Sequence, residues 1–505
     1  MTDTLLWTLV SLQVAMGAFD TLYHHEFTER LAWRKSQRQE LRLHAVRNGF
    51  YGLIFLLLAW SEPRGWLALA LLTVLLVEIG ITLWDFVEED LSRRLPATER
   101  VTHTLLALNY GAILVLLVPV LWAWSALPTA LVATSHGWGS LFLTASAAGV
   151  VLFGLRDWLA SARLGRLVIR PAAPLAAGLG TRKRILVTGA TGFLGERLIE
   201  ALAANGHDVV ALVRSPTKAA RLAAPITLIT HFNQIPSDAR LDAIVNLAGA
   251  PVADWPWTRV NRFRILHSRI KTMRGLLRLL DRLDKRPTVL VSASAIGWYG
   301  PRGDEVLTES DAAGEGFGTL SCRAVESEAL RAVSRGVRVV TLRIGLVLDP
   351  SGGMLARLLP PFDLGAGGRI GHGRQWMSWI TRDDLIRLLV HAMATPALTG
   401  AVNGTAPNPV RNAAFAKALG RALWRPAIMP LPAFLLRFLG REMAEEILLS
   451  GQRVLPAKAL ASGFVFAQPD LDAALGEMLG ATCAPSQSSS EISSIAATEH
   501  LPITR

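Results

Sequence analysis

Two regimes of hydrophobic patterning divide the chain. Before residue 160, apolar residues run in long segments: Leu5–Phe19, Val46–Trp60, Trp66–Trp84, Leu105–Trp124 and Gly137–Leu155. The third and fourth reach the roughly 20 residues that a membrane-crossing helix needs, whereas the first two are shorter or carry a polar residue. From residue 184 onward, short strand-like apolar runs alternate with segments of helical period, which predicts a doubly wound parallel sheet. Strands are expected at 184–188, 208–213, 226–230, 242–247, 288–293 and 337–342, and helices at 193–204, 259–283, 319–334 and 382–394. Residues 345–375, rich in glycine with Pro360 and Pro361, are expected as loops.

Composition and charge refine the first half. The mean hydropathy of +0.34 is high for a soluble enzyme, and the excess lies before residue 155. Arg30, Arg34, Lys35, Arg38, Arg42 and Arg47 follow the first segment, and Arg93, Arg94 and Arg100 the third; residues 125–136 carry no Lys or Arg. The positive-inside rule then predicts five spans in the inner membrane, the N-terminus outside and the C-terminal domain cytoplasmic. The first segment lacks the basic n-region of a signal peptide. Asp20, His24, His25, Glu26, His44, Glu78, Asp85, His103 and His136 are read as hydrated residues at segment ends, with a metal, haem or proton path as the alternative. No metal ligand set is assigned. Residues 159–182, basic and then rich in small residues, predict a flexible linker.

The net charge of +12 is spread over helices and loops without an aromatic-interleaved patch, which argues against nucleic acid as a partner. Cys322 and Cys483 are the only cysteines, too few and too far apart for a disulfide framework or a thiolate metal site.

The strongest chemical signal opens the second half. An apolar run, Ile185 to Val187, leads into Gly189-Ala-Thr-Gly-Phe-Leu-Gly195 and then a helical pattern. Strand, glycines and helix in that order predict a dinucleotide site, with Gly189, Thr191, Gly192, Phe193, Leu194 and Gly195 around the pyrophosphate. After the second strand, Arg214 stands where an NAD site usually places an acidic residue, which favours NADP over NAD. Asn246, Ala248 and Gly249 end the fourth strand beside the same cofactor. The fifth strand ends in Ser292-Ala-Ser294, and a hydroxyl there suits hydrogen bonding to a substrate oxygen.

From 184 to 483 the chain resembles the extended short-chain dehydrogenase/reductase superfamily, and more narrowly its NAD-dependent epimerase/dehydratase-like "epimerase family" proteins with a small C-terminal domain of unknown function. The resemblance rests on the glycine motif, Asn246-Leu-Ala-Gly249, Trp255 and Trp257, Ser268-Arg269, and Ser292-Ala-Ser-Ala-Ile-Gly-Trp-Tyr-Gly300. It also rests on Leu342-Arg-Ile-Gly-Leu-Val-Leu348, Leu359-Pro-Pro-Phe362, Gly371-His-Gly-Arg-Gln375, Asp383-Asp384, Pro409-Val-Arg-Asn412 and Gly451-Gln-Arg453. It implies a Rossmann-like doubly wound parallel sheet with a small helical C-terminal domain, here preceded by an all-α transmembrane domain. The expected domains are 1–158 (membrane), 159–182 (linker), 183–405 (NAD(P)-binding domain with substrate lobe), 406–483 (helical domain) and 484–505 (disordered tail).

In that superfamily a Ser or Thr works with a Tyr and with a Lys four residues later. Ser294 matches the first; Gly318 and Cys322 stand at the other two positions. Tyr299 and Cys322 are the candidate replacements, Cys322 through a thiol activated at a helix start. Arg343, Arg369, His372 and Arg374 suggest a positive lining for an anionic or sugar-like small molecule. Two functions fit these residues: a membrane-anchored NADP-dependent oxidoreductase or epimerase, or a non-catalytic NADP(H) sensor coupled to the membrane domain.

Overall fold

The computed structural model describes residues 4–481 apart from 94, 168–169, 220–221 and 223–224; Cys483 and the expected tail at 484–505 lie outside the described residues. The chain parts into two compact units at residues 168 and 169.

The first unit is helical: α1 (Thr4–Phe19), α2 (Arg38–Trp60), α3 (Trp66–Ser92), α4 (Ala97–Ser125) and α5 (Trp138–Arg166). By length and composition alone, five helical segments here are long and apolar enough to cross a membrane. An apolar core forms where Ile54, Leu71, Leu75, Leu117 and Leu121 meet. The helices outrun the expected segments, and the extra turns carry the ionisable residues Glu40, His44, Asp85, Glu89, Glu99 and His103. These groups are not hydrated ends, as the sequence suggested. Asp20, His24, His25, Glu26, His44, Glu78 and Asp85 are buried and His103 and His136 are half-buried. Spacing of i, i+4 places such residues on one helix face, and that face turns inward here.

The flexible linker is also corrected. α5 continues to Arg166, and Ala173–Leu179 forms short helical turns. Ala172, Leu175 and Ala176 belong to the apolar core that covers one face of the sheet.

The second unit is built on seven parallel strands: β1 (Arg184–Thr188), β2 (Asp208–Leu212), β3 (Ile226–Ile229), β4 (Ala243–Asn246), β5 (Val289–Ala295), β6 (Arg338–Ile344) and β7 (Gly400–Gly404). Their order is β7-β6-β5-β4-β1-β2-β3. Alternation sends side chains to opposite faces. Ile185 and Val187 pack with Leu198, Ile199 and Leu202 of α6 (Phe193–Ala204), while Leu186 packs with Met273, Leu276 and Leu280 of α7 (Arg259–Arg282). α8 (Phe317–Leu330) joins the α7 face through Ala329. The six expected strands are all present. β7 was missed because Gly-Ala-Val-Asn-Gly is short, flanked by glycine and lacks alternation.

The expected loop at 345–375 contains α9 (Gly353–Asp363), whose Leu355, Ala356, Leu359 and Phe362 are buried. Pro360 and Pro361 fall in its second half, so the apolar periodicity outweighs the two breakers. α10 (Arg382–Ala394) is capped by Thr381, whose hydroxyl accepts from the Asp384 N–H at 3.2 Å, and not by Asp383 or Asp384. The Asp384 carboxylate instead accepts from the Ala467 and Gln468 amides, at 2.9 Å each. The C-terminal helices are α11 (Asn412–Leu423), α12 (Ala433–Met443) and α13 (Leu471–Leu479). They are stitched into the second unit, because Val410–Arg411 pairs with Trp376–Met377 and Arg453–Val454 with Val306–Leu307.

Candidate functional site

Parallel strands with right-handed crossovers leave their carboxyl ends on one edge, and ligands of this architecture bind there. At the end of β1 the backbone turns through Gly189, whose φ of +71° suits glycine. A side chain on Gly189 would strike the Leu247 carbonyl, and one on Gly195 would lie 2.2 Å from the Gly189 oxygen. The three glycines thus hold the start of α6 tight against the ends of β1 and β4. No side chain caps α6. Its first N–H groups are left for another acceptor, and an anion such as a pyrophosphate fits that demand. Thr191, Gly192, Phe193 and Leu194 line this turn, with the Phe193 ring beneath Arg382 at 4.6 Å. Arg214 follows β2, exposed, with no ion pair among the described residues.

Asn246 is placed differently from the expectation. It is buried, and its carboxamide accepts from Thr188 Oγ1 at 2.6 Å and donates to Ser292 Oγ at 3.2 Å. The register sets Thr188, Asn246 and Ser292 side by side on β1, β4 and β5. Asn246 therefore ties three strand ends together, while Ala248 beyond it is half-buried and Gly249 exposed. Arg269, on α7, lies against Gly249. It is half-buried and donates to the Ile265 carbonyl at 3.0 Å; burial pulls its guanidinium below the ordinary value. Its only signal in the sequence is the Ser268-Arg269 pair.

One row further toward the edge, the register aligns Ser294 with Arg343 and Arg343 with Asn403. These side chains form one chain of hydrogen bonds. Ser294 Oγ donates to Glu326 Oε1 at 2.7 Å, and Arg343 grips both Glu326 oxygens at 3.0 Å each. Arg343 also donates to Tyr299 Oη at 3.0 Å, and Tyr299 donates to Asn403 Oδ1 at 2.8 Å. Glu326 and Arg343 are buried, and Trp298 stacks on the Arg343 guanidinium at 3.9 Å. Breaking such a buried pair by removing one partner typically costs about 3–5 kcal/mol.

This network corrects three expectations. Tyr299 is fully buried, with its hydroxyl held between Arg343 and Asn403; burial raises its pKa, so it is not the accessible acid. Arg343 is paired with Glu326 inside the fold and does not belong to an exposed lining, whereas Arg369, His372 and Arg374 are exposed. Cys322 is buried in the second turn of α8, its thiol against the Ala295 carbonyl at 3.4 Å. Burial pushes that thiol up, the opposite of an activated nucleophile. The start of α8 is filled too, because Glu446 accepts from the Phe317 and Gly318 amides at 3.0 and 2.9 Å. Ser294 stays half-buried at the edge. Glu326 and Asn403 were missed as site residues, and Arg343 was expected in a substrate lining, because these residues are far apart in sequence and meet only in the folded chain.

Among known proteins, the model of the NAD dependent epimerase/dehydratase family matches residues 185–403, and that of a domain of unknown function, DUF1731, matches 431–478. An epimerase family protein, the chloroplastic SDR39U1 homolog of Arabidopsis thaliana, is 40% identical over 289 residues, 56% of this chain and 82% of its own. The epimerase family protein SDR39U1 of Homo sapiens is 34% identical over 303 residues, 59% of this chain and 99% of its own. A crystal structure of human SDR39U1 (isoform 2) with NADPH superposes with a TM-score of 0.53 at 31% identity, over 59% of this chain and 99% of that one.

These relatives correct the expected fusion. Their lengths are nearly used up by the sheet and its C-terminal helices, and both family models fall inside the second unit. A transmembrane domain, a lipid-bilayer partner, an inner-membrane location and a sensor coupled to a membrane domain are no part of what they support. The expected spans rest on segment hydropathy and loop charge alone, whereas every motif carrying the resemblance lies after residue 184. With a glycine cradle at β1, a parallel sheet and relatives covered over 82–99% of their length, the chain belongs to the NAD-dependent epimerase/dehydratase family as an NAD(P)-dependent epimerase/oxidoreductase with a C-terminal DUF1731 domain.

Proposed function

We propose that the second unit is an NADPH-preferring oxidoreductase or epimerase acting on a small hydroxyl or carbonyl compound, with Ser294 and Glu326 handling the proton that a Tyr–Lys pair handles elsewhere. Gly189, Thr191, Gly192, Phe193, Leu194 and Gly195 would hold the pyrophosphate, and Arg214 the 2′-phosphate. Ala248 and Gly249 would give the cofactor a close backbone surface, with Arg269 a second cation beside them. The bound nicotinamide supplies hydride transfer.

The observation that carries this reading is the 2.7 Å bond from Ser294 Oγ to Glu326. With its proton directed to Glu326, Ser294 presents lone pairs to the edge and accepts from a substrate hydroxyl. As the substrate proton passes to Ser294 Oγ, the serine proton passes to Glu326. Arg343 holds the carboxylate in place and offsets its charge. In the reverse direction Glu326 returns the proton through Ser294 to a carbonyl oxygen. Positioned proton transfer of this kind contributes typically about 10²- to 10⁴-fold in rate.

The test is turnover on a panel of carbonyl compounds and sugars carrying anionic groups, read by NADPH absorbance and by deuterium uptake from solvent. Ser294→Ala and Glu326→Gln are expected to lower kcat by about 10²-fold or more with NADPH affinity kept. Wild-type rates in Ser294→Ala would remove the proton relay. The charge on the exposed Arg369 and Arg374, with His372 between them, supports an anionic substrate, and neutralising both arginines should then raise KM more than it lowers kcat.

A further inference from the structure

The helical unit holds a cluster of histidines and carboxylates that the dinucleotide site does not use. α1 runs into Asp20–Glu29, wound as a π-helix, a form frequent at functional positions. This segment supplies Asp20 and His25. α2 supplies His44, α3 supplies Asp85 and Glu89, and α4 supplies Glu99 and His103. Donor atoms of Asp20, His25, Glu99 and His103 lie within 4.8 Å of one another, and so do those of His25, His44 and Glu89. An ion bound at about 2.0–2.2 Å places its ligands no more than about 4.4 Å apart, so small side-chain movements close either set.

The polar bookkeeping inside the cluster does not balance. Asp20, Glu40, Asp85, Glu89 and Glu99 are buried, and the arginines among them are Arg93, bound to Glu40 and Glu99, and Arg47, bound to Asp85. Among the described residues Asp20 pairs with His24, His25 and His103, and Glu89 with His44, His103 and, at 3.8 Å, Arg93. His25 Nε2, His44 Nε2, Asp85 Oδ1 and Glu89 Oε2 are buried without an aligned hydrogen bond, although His44 Nε2 stands 3.2 Å from Asp85 and Glu89 Oε2 3.3 Å from His103. His25 Nε2 lies 3.3 Å from Asp20 and 3.6 Å from Glu99, separations typical of two ligands on one ion. Unmet buried donors and acceptors cost free energy, and a cation at their centre removes that cost.

We infer that Asp20, His25, Glu99 and His103 bind a divalent first-row transition metal, with His44 and Glu89 forming an adjoining position that shares His25. Nitrogen and oxygen donors without thiolate suit Mn(II), Fe(II) or Zn(II), and geometry and availability choose among them. Arg93 positions Glu99 from the far side through two hydrogen bonds of 2.7 and 2.8 Å, as outer partners orient metal ligands. The ion replaces charge compensation that the apolar surroundings deny to the carboxylates.

The experiment uses the full chain purified without chelator. Metal content is measured as isolated, after stripping, and after reloading with Mn(II), Fe(II), Zn(II) or Co(II) in turn. One or more equivalents should be bound, and His25→Ala with His103→Ala should weaken binding by more than about tenfold, a floor set by the smaller losses seen for outer-shell changes. His136→Ala, elsewhere in the same unit, should leave binding unchanged. Thermal melting of each variant with and without metal reports folding. If the double variant fails to fold, Co(II) in the wild-type chain decides. Visible absorption of a histidine- and carboxylate-bound ion, erased by Zn(II), supports the site. No such absorption, or uptake by stripped wild type no greater than by the variant, overturns it, and the cluster is then a network of ion pairs with protonated histidines.

Discussion

Gly195→Ala isolates the glycine cradle from every other feature of the chain. The added methyl would stand 2.2 Å from the Gly189 oxygen and 2.9 Å from Ala190 backbone atoms. Side-chain carbons essentially never approach closer than 3.0 Å, so the turn must open by about 0.8 Å. Every atom in the way is backbone, and no rotamer relieves the clash. Overpacking of this kind costs about 1–3 kcal/mol. If α6 shifts to absorb it, the first N–H groups of the helix leave the pyrophosphate position, and the same energy appears as NADPH affinity weakened about 5- to 150-fold. Fluorescence titration of NADPH into the full chain measures this directly. Gly206→Ala is the matched control. Its φ of +72° strains any side chain by about 1–2 kcal/mol, but nothing lies within 4 Å, and it sits at the far end of α6. It should lower the melting temperature and leave NADPH affinity alone. If Gly195→Ala binds NADPH as tightly as wild type, the cradle does not hold the pyrophosphate and the reasoning fails.

Arg214→Asp should weaken NADPH binding at least about tenfold while NADH binding holds or improves, because only the 2′-phosphate needs the guanidinium; equal losses for both cofactors would show that Arg214 is not its partner. Tyr299→Phe strands the buried Asn403 oxygen and removes an acceptor from Arg343, so stability should fall by about 1–3 kcal/mol in denaturant titration with NADPH affinity kept. Cys322 has a thiol raised by burial, so the unfolded chain ionises first as pH rises. Its contribution is present below the ordinary thiol value of 9.0 and declines above it, and Cys322→Ser should flatten the pH dependence of stability there.

Some parts of this molecule are written in local sequence. The strand–glycine–helix order at 184–204 is legible because each residue's demand is met by its neighbours: an apolar run for the strand, glycines for the turn, an apolar period for the helix. The six expected strands and the main helices follow the same logic. The five apolar helices of the first unit were likewise visible, although their inward-facing ionisable turns were not. Local pattern reports which faces are apolar, and it is silent on what a polar residue meets across the fold.

Tertiary structure alone decided the rest. Ser294, Arg343 and Asn403 come from three strands, with Glu326 from a helix and Tyr299 from a turn, and only sheet register brings them within hydrogen-bond reach. Their separation along the chain hides them, and buried hydrogen bonds place Tyr299 and Asn246 in the interior instead of at cofactor or substrate. Histidines and carboxylates on four segments converge for the same reason. A cofactor cradle made of consecutive residues is determined by the sequence itself. A charge network made of distant ones is determined by packing, because the free energy of a buried charge depends on partners that only the folded chain supplies.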